Sequence, residues 1–513
     1  MFAKYLINRI LPVAAAAVAS IAPLAAQPRL DYDVSLSATA SSGDFAPSLL
    51  SALNQGKNPM KNSVLLDASL IKPLDLGRRF SWSAGAELLT GYNHDADYSY
   101  YDGDAWTSRS WRPGAFRVQQ LFGELKYRSV YLYVGMKNEF SRIVDSELSS
   151  GDLIQSANAR AIPGVGAGFL DFQNIPFTRG WVQIEGRIMY GKMADNDFVE
   201  RQFNHYNEHI ALSTYYVYRR CYFRTNPAQP LSVTVGMQTA GFFGGRTYWY
   251  GGGKLLREQN RGFRFKDVCK MFFPITGNGD EFIEGSSLGS WDFKARYRID
   301  GDNEVSAYFE WPWEDGSGIG RRNGWDGLWG LEYRRSGSHF VNRAVVEYID
   351  FRNQSGPLHY ATGDHPGTTI GSDVNGGDNY FNNNTYNSYA NYGMSIGTPF
   401  LVAPVYNLDG YPAYIFNRAR GFHAAVAGDF GDKVGYIVKL SYQKGYASGR
   451  LPFARARENF SFMAGADYDA SSLVRGLGLS CKIGLDSGRL RGDSFGATIA
   501  ISYSGSLSKP SKK

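Results

Sequence analysis

The sequence predicts an all-β chain, a transmembrane antiparallel β-barrel of about 16–18 strands. Three observations predict it: period-two alternation of apolar residues, a signal-like N-terminus and a heavy load of aromatic side chains. The alternation is clearest in the last third. Phe460, Phe462, Ala464, Ala466 and Tyr468, then Leu477, Leu479, Cys481, Ile483 and Leu485, then Phe495, Ala497, Ile499, Ile501 and Tyr503 put an apolar residue at every second position. Successive strand residues point to opposite faces, so each run has one apolar face and one mixed face.

At the N-terminus, Lys4 and Arg9 precede an apolar stretch from Ile10 to Ala22, followed by Pro23, Leu24, Ala25 and Ala26. That order predicts a cleaved secretory signal peptide over 1–26 and a mature start at Gln27. No Cys follows the cleavage position, which argues against a lipoprotein anchor. Further on there is no uninterrupted apolar span of about 20 residues, so a helical membrane protein is excluded on length. Alternation hides a barrel from averaged hydropathy, and the mean hydropathy of −0.32 is therefore compatible with a membrane protein. Aromatics make up 15%, with 34 Tyr and 32 Phe, a load suited to girdles at two membrane interfaces. The 59 Gly residues suit strand kinks and tight turns. The chain has 54 Lys and Arg against 48 Asp and Glu; discounting Lys4 and Arg9 leaves a net of +4, which gives no support for a nucleic-acid partner. Of the three cysteines, Cys481 sits on an apolar strand face as a small packing residue. Cys221 and Cys269 could pair in an oxidising envelope, a matter that spacing does not decide.

Taken in order, Leu30, Tyr32, Val34, Leu36 and Ala38 form the first strand. A short helical insertion follows: Pro47, with Ser41, Ser42 and Asp44 upstream as caps, leads into Leu49, Leu50 and Leu53, and Gly56 ends it. Leu121, Leu125 and Tyr127 turn at Arg128 and Ser129 into Val130, Leu132, Val134 and Met136, a hairpin. Val182, Ile184, Ile188 and Tyr190 make another face, as do Leu231, Val233, Val235 and Met237. Trp291, Phe293, Ala295, Tyr297 and Ile299 alternate with Asp292, Lys294, Arg296 and Arg298. The Asp300-Gly301-Asp302-Asn303 turn then leads to Val305, Ala307, Phe309 and Trp311. One face in lipid and one charged face in a lumen explains this pattern, and a soluble sandwich with one wet face is the alternative. The barrel is expected over 27–503, with a polar tail at 504–513. Two long stretches break the rhythm: 143–180, rich in Ser, Gly, Asn and Pro, and 353–420, rich in Asn, Gly and Tyr. Loops of that length are where function is expected.

Several motifs carry little. His205-Tyr206-Asn207-Glu208-His209 has the spacing of an inverted zinc-protease motif, which needs a helix, yet it runs into the strand-like Ile210, Leu212, Tyr215 and Val217. Gly164-Val165-Gly166-Ala167-Gly168 lacks the strand-turn-helix setting of a phosphate cradle and reads as loop glycine. Arg491-Gly492-Asp493 reads as a hairpin turn. Asp300 to Glu304 is too short for a calcium loop. No Ser/His/Asp set or carboxylate pair stands out, so no catalytic residue, metal or cofactor is expected.

Two segments carry a family resemblance. Ser149-Ser150-Gly151, followed by Asn158-Ala159-Arg160 and Ile162-Pro163, resembles the signature of Wzi-type capsule assembly proteins. Gly135 to Glu139 before it and Pro176 to Trp181 after it fit as well. Asp378-Asn379-Tyr380-Phe381-Asn382-Asn383 and Tyr392 to Phe400 resemble the second signature, and Gly236 to Gly245 is a weaker third match. The version is Bacteroidetes-like, and Ser156-Ala157 and Ala161 depart from the pattern. The resemblance implies an eighteen-stranded outer-membrane lectin that holds capsular or other surface polysaccharide without catalysis. Its implied partners are that glycan, outer-membrane lipid and the outer-membrane assembly machinery. Amides, a guanidinium and aromatic faces suit sugars, which makes Asn158, Arg160, Trp181, Tyr380, Asn382, Asn383 and Tyr386 the candidate glycan-binding residues. For any one of them a loop-bracing role is an equal expectation. The alternatives are a porin or uptake channel and a structural barrel of a secretion assembly, and what separates the first of these is whether the long loops fold inward.

Overall fold

Alternating strands cannot leave their edges unpaired in lipid, so the sheet has to close. It does so in the computed structural model, which describes residues 29–206, 208–272, 285–314, 318, 322–356, 359–360, 374–375, 377–448 and 452–507. The expected signal peptide, Gln27 and the end of the expected tail lie outside the described residues. β1 (Leu30–Ser41) pairs with β2 (Ser63–Lys72) on one side and with β18 (Ser494–Leu507) on the other, Leu30 opposite Leu507. Between them run β3 (Phe80–Asn93), β4 (Phe116–Tyr127), β5 (Val130–Met136), β6 (Gly164–Phe169, resumed at Gln173–Asn174), β7 (Val182–Lys192), β8 (Tyr215–Thr225) and β9 (Leu231–Phe243). β10 (Gly285–Arg298), β11 (Asn303–Trp313), β12 (Gly327–Arg335), β13 (Arg343–Asp350), β14 (Ala419–Phe430), β15 (Val434–Ala447), β16 (Pro452–Asp469) and β17 (Leu477–Gly488) complete the wall. Each pairs antiparallel with its neighbours, giving a closed barrel of 18 strands.

The expected strands and turns fall in register. Tyr127 pairs with Val130 around Arg128, whose φ of 53° makes the turn, and Arg298 pairs with Glu304 around the Asp300 turn. The Arg491-Gly492-Asp493 turn joins β17 to β18, with Gly492 at φ 81°. β18 runs to Leu507, so the first part of the stretch expected as a tail is paired wall. The helical insertion is a single turn, Ser48–Ser51. Its start is held by the wall rather than by Ser41, Ser42 or Asp44, since the Ser48 amide donates to Asp486 Oδ2 at 2.7 Å.

One reading is corrected, and the open question of the cysteines is answered. Residues 164–169 and 173–174 are not loop but strand, completing β6 between β5 and β7, and 175–181 is a turn. The glycines there are packing residues: a Cβ on Gly166 would sit 2.3 Å from the Tyr133 ring. Val165, Ala167 and Phe169 alternate on the outer face, but the glycines between them made the run read as loop. Cys221 and Cys269 are both free, because Cys221 lies on the wall and Cys269 on a separate helix, Phe265–Phe272. Cys481 is exposed on the outer face beside Leu479 and Ile483.

The turns after β2, β4, β6, β8, β10, β12, β14 and β16 and both strand termini lie at one end of the barrel, and the long connections 42–62, 94–115, 137–163, 193–214 and 351–418, with the short turn 489–493, lie at the other. Apolar residues such as Leu125, Leu132, Val235, Phe293, Leu331 and Ile499 are exposed on the outside. Opposite-face residues point inward, as Tyr222 does when its hydroxyl donates to Asp292 Oδ2 at 2.7 Å. The main core therefore lies in the lumen. Met60, Tyr133, Leu153, Ile154, Tyr216, Tyr308, Phe400 and Val405 belong to one buried cluster there, drawn from wall and loops alike.

Candidate functional site

The first signature loop is the centre of a plug. Residues 141–162 enter the lumen and are tied to the wall by side chains that had to be polar to meet a strandless backbone. Glu347 Oε2 accepts the Ser150 amide at 2.7 Å and Glu310 Oε2 the Leu153 amide at 2.8 Å. Lys294 Nζ donates to the Ile143 carbonyl at 2.7 Å, and Lys439 Nζ to that of Glu147. At the loop's deepest part Asp145 meets Arg334 and Arg343. Two further segments complete the plug. The Gln55 amide donates to the Ala157 carbonyl at 2.8 Å, and the Ser156 amide to that of Ile396 at 3.0 Å.

This geometry decides the role of the first signature's residues. Asn158 is 1% exposed; its Oδ1 accepts the Leu53 amide and its Nδ2 donates to the Ser395 carbonyl, so it splices three chain segments. Arg160 donates to the Val118 carbonyl at 2.7 Å and lies 4.6 Å over the Tyr392 ring. Ser149, Ser150, Gly151, Ala159 and Ile162 are buried with them, and Pro163 ends the loop as it enters β6. Tyr380 is fully buried, its hydroxyl accepting from Asn323 Nδ2. Trp181 stands on the rim at the short-turn end, opposite to the long loops, because 175–181 proved to be a turn. Asn158 and Tyr380 are thus buried within the plug and Arg160 braces it, the loop-bracing role expected as the equal alternative, while Trp181 stands apart from the long-loop end.

The other three candidates meet at the long-loop end. Asn382, Asn383 and Tyr386 line a cavity of about 530 Å³ between 379–388, 409–415 and Glu208-His209. Asn382 clamps two walls, donating to the Tyr414 carbonyl and accepting the Tyr414 amide at 2.8 Å. Asn383 Oδ1 accepts the Thr385 and Tyr386 amides, which leaves its Nδ2 as the donor it can offer a ligand. Asn387 bonds both backbone groups of Ala211, docking the loop on the strand His209–Leu212.

His209 fixes the floor. Its Nε2 lies 2.9 Å from the Tyr386 carbonyl and its Nδ1 3.3 Å from Glu208 Oε2. Burial lowers its pKa, but Glu208 and the Tyr386 carbonyl outweigh burial and hold it above the ordinary 6.5. His205 is packed instead against the rings of Phe203 and Tyr250, and the helix Asn196–Gln202 ends before either histidine. The pair does not share a helix face, which the zinc motif requires.

Asn379, Asn384, Asn387, Tyr411, Asp409, Glu208 and His209 were not among the glycan-binding candidates, although Asn379 lies in the second signature and Glu208 and His209 in the motif set aside. The asparagine run 382–384, extended by Asn379 and Asn387, was the available signal for the first three. Glu208 and His209 reach the site only through the fold. Chemically the cavity offers amides, two carboxylates and the rings of Tyr411 and Phe453, and among the described residues lining it His209 is the sole basic side chain.

No protein-family model matches the chain, and no curated protein does. Among solved structures it is similar to Wzi of Escherichia coli, described as an outer membrane protein involved in group 1 capsule assembly and a carbohydrate-binding β-barrel. That likeness has a TM-score of 0.55 at 14% identity and covers 92% of this chain and 84% of Wzi. OpdQ of Pseudomonas aeruginosa follows at a TM-score of 0.46 and 9% identity, covering 93% and 98%. The fold is that of an outer-membrane β-barrel.

Proposed function

We propose that this chain is a non-enzymatic, Wzi-type outer-membrane protein that binds surface polysaccharide and assists assembly or attachment of a capsule or related glycan. The observation that carries the reading is the amide-lined cavity at the long-loop end, which in such barrels faces the cell exterior. Sugar hydroxyls pair with amide and carboxylate groups, and sugar C–H faces with aromatic rings, and the cavity supplies both. The plug supports the same reading over an uptake channel, since it occupies the lumen with hydrogen-bonded chain. The likeness to a carbohydrate-binding barrel supports it at the level of the fold.

A glycan-retention assay on intact cells tests it. Asn383→Ala and Tyr411→Ala should release glycan into the medium while barrel abundance and heat-modified gel mobility stay normal. One lost hydrogen bond corresponds to about 0.5–1.5 kcal/mol, a severalfold loss of binding per site. Full retention by both variants would reduce the cavity to a structural gap, and shortening of the glycan by purified protein would make the chain an enzyme.

A further inference from the structure

The outward face of β8 contains a charge that has no ion-pair partner among the described residues. Val217, Arg219, Cys221 and Phe223 share that face, while Tyr216, Tyr218, Arg220 and Tyr222 face the lumen. A cation on the lipid face is costly at the midplane and less so toward an interface. Arg219 pairs with Ile188, one outward position below Tyr190, whose hydroxyl donates to the Val268 carbonyl of the helix Phe265–Phe272 at 2.9 Å. That helix packs Met271 against Val217 and Phe243, so it lies on the outside of the wall near the long-loop end. Tyr190 has the position of an interfacial aromatic, and a guanidinium beneath it can reach up to the same level.

Nε and Nη1 of Arg219 are buried without a hydrogen-bond partner, and so is the hydroxyl of Thr239, which pairs opposite Arg219 on β9. Arg219 borders a groove of about 430 Å³ whose other sides include Ile188, Cys221, Met237 and Phe272. Gly186 leaves a gap in its floor, and among the described residues lining the groove there is no carboxylate. An apolar slot ending at a bare guanidinium matches an acyl chain joined to a phosphate, because the planar fork of Arg pairs with phosphate oxygens.

We propose that this groove is a docking site for a phosphate-bearing lipid of the surrounding bilayer, its phosphate on Arg219 and its chain along Gly186 and Met237. The site is separate from the polysaccharide cavity and depends only on the barrel standing in a membrane.

The test uses the full-length protein reconstituted with either phosphatidylglycerol or a galactosyl diacylglycerol of the same chains, followed by native mass spectrometry of retained lipid. Wild type should keep phosphatidylglycerol at least about tenfold better than the phosphate-free lipid, and Arg219→Leu should abolish the preference. Gly186→Leu fills the slot without touching the charge; a Cβ there meets nothing nearer than 3.6 Å, so the variant should assemble and lose retained lipid. Equal retention by either variant overturns the proposal. If Arg219→Leu does not assemble, Gly186→Leu decides alone. If inorganic phosphate at millimolar level displaces the lipid headgroup contact in wild type without loss of lipid, the site is for the free anion and the lipid assignment is wrong.

Discussion

His209 joins two loops that are far apart in sequence, and it does so best when both ring nitrogens carry protons, one for Glu208 and one for the Tyr386 carbonyl. Its native pKa stands above the ordinary 6.5, so protonation favours the folded contact. That stabilisation is complete below the unfolded value and is lost as pH rises through the native one. Protection of the amides of residues 383–388, taken relative to their base-catalysed intrinsic exchange rates, should therefore be higher at about pH 5.5 than at about pH 8.5. His209→Gln should flatten the difference. A wild-type profile without pH dependence would show that the imidazole does not brace the cavity floor. Arg160→Ala makes a contrasting residue test: its guanidinium holds the Val118 carbonyl and the Tyr392 ring inside the plug, so its loss should lower thermal stability before it lowers glycan binding.

Strands read well from the sequence wherever one face met lipid, because lipid demands an apolar residue at every second position and the lumen does not. Ile499 is 60% exposed on β18 between Cys481 and Ala38, and Arg296 on β10 is turned to the Pro227 carbonyl at the short-turn end. Ile499→Arg should impair membrane assembly, at a cost of about 2–4 kcal/mol near the midplane, whereas Arg296→Glu should assemble normally. Equal heat-modified mobility of the two variants would contradict the assigned faces. β6 does alternate, with Val165, Ala167 and Phe169 on the face of the exposed Val134 and Leu132, but Gly164, Gly166 and Gly168 between them made the run read as loop; they face the lumen, where the Tyr133 ring occupies the space over Gly166. The candidate site was legible in part for a similar reason. An asparagine-rich loop announces a polar surface, but which amides brace and which face a ligand depends on partners such as Tyr414 and Ala211 that only the folded chain brings near.

The closed wall and the filled lumen together set what the whole molecule can do. Eighteen strands pair without a free edge, so the barrel stands by its own hydrogen bonds whether or not the plug is present. The plug in turn is held at many points: Lys294 on β10, Glu310 on β11, Arg334 on β12, Arg343 and Glu347 on β13 and Lys439 on β15 all grip it. Hydrogen bonds to charged groups contribute about 1.5–3 kcal/mol each, so thermal motion will not expel a segment tied at this many places. Wild-type protein in a planar bilayer should therefore show no steady ion conductance. Replacing residues 141–158 by a short Gly-Ser linker removes those ties and leaves the strands on either side, β5 and β6, still paired with each other. The variant should assemble, keep its heat-modified mobility and conduct. A conducting wild type would mean that the plug moves aside and that the barrel is a channel; a silent deletion variant would mean that 47–60 and 378–417 close the lumen by themselves.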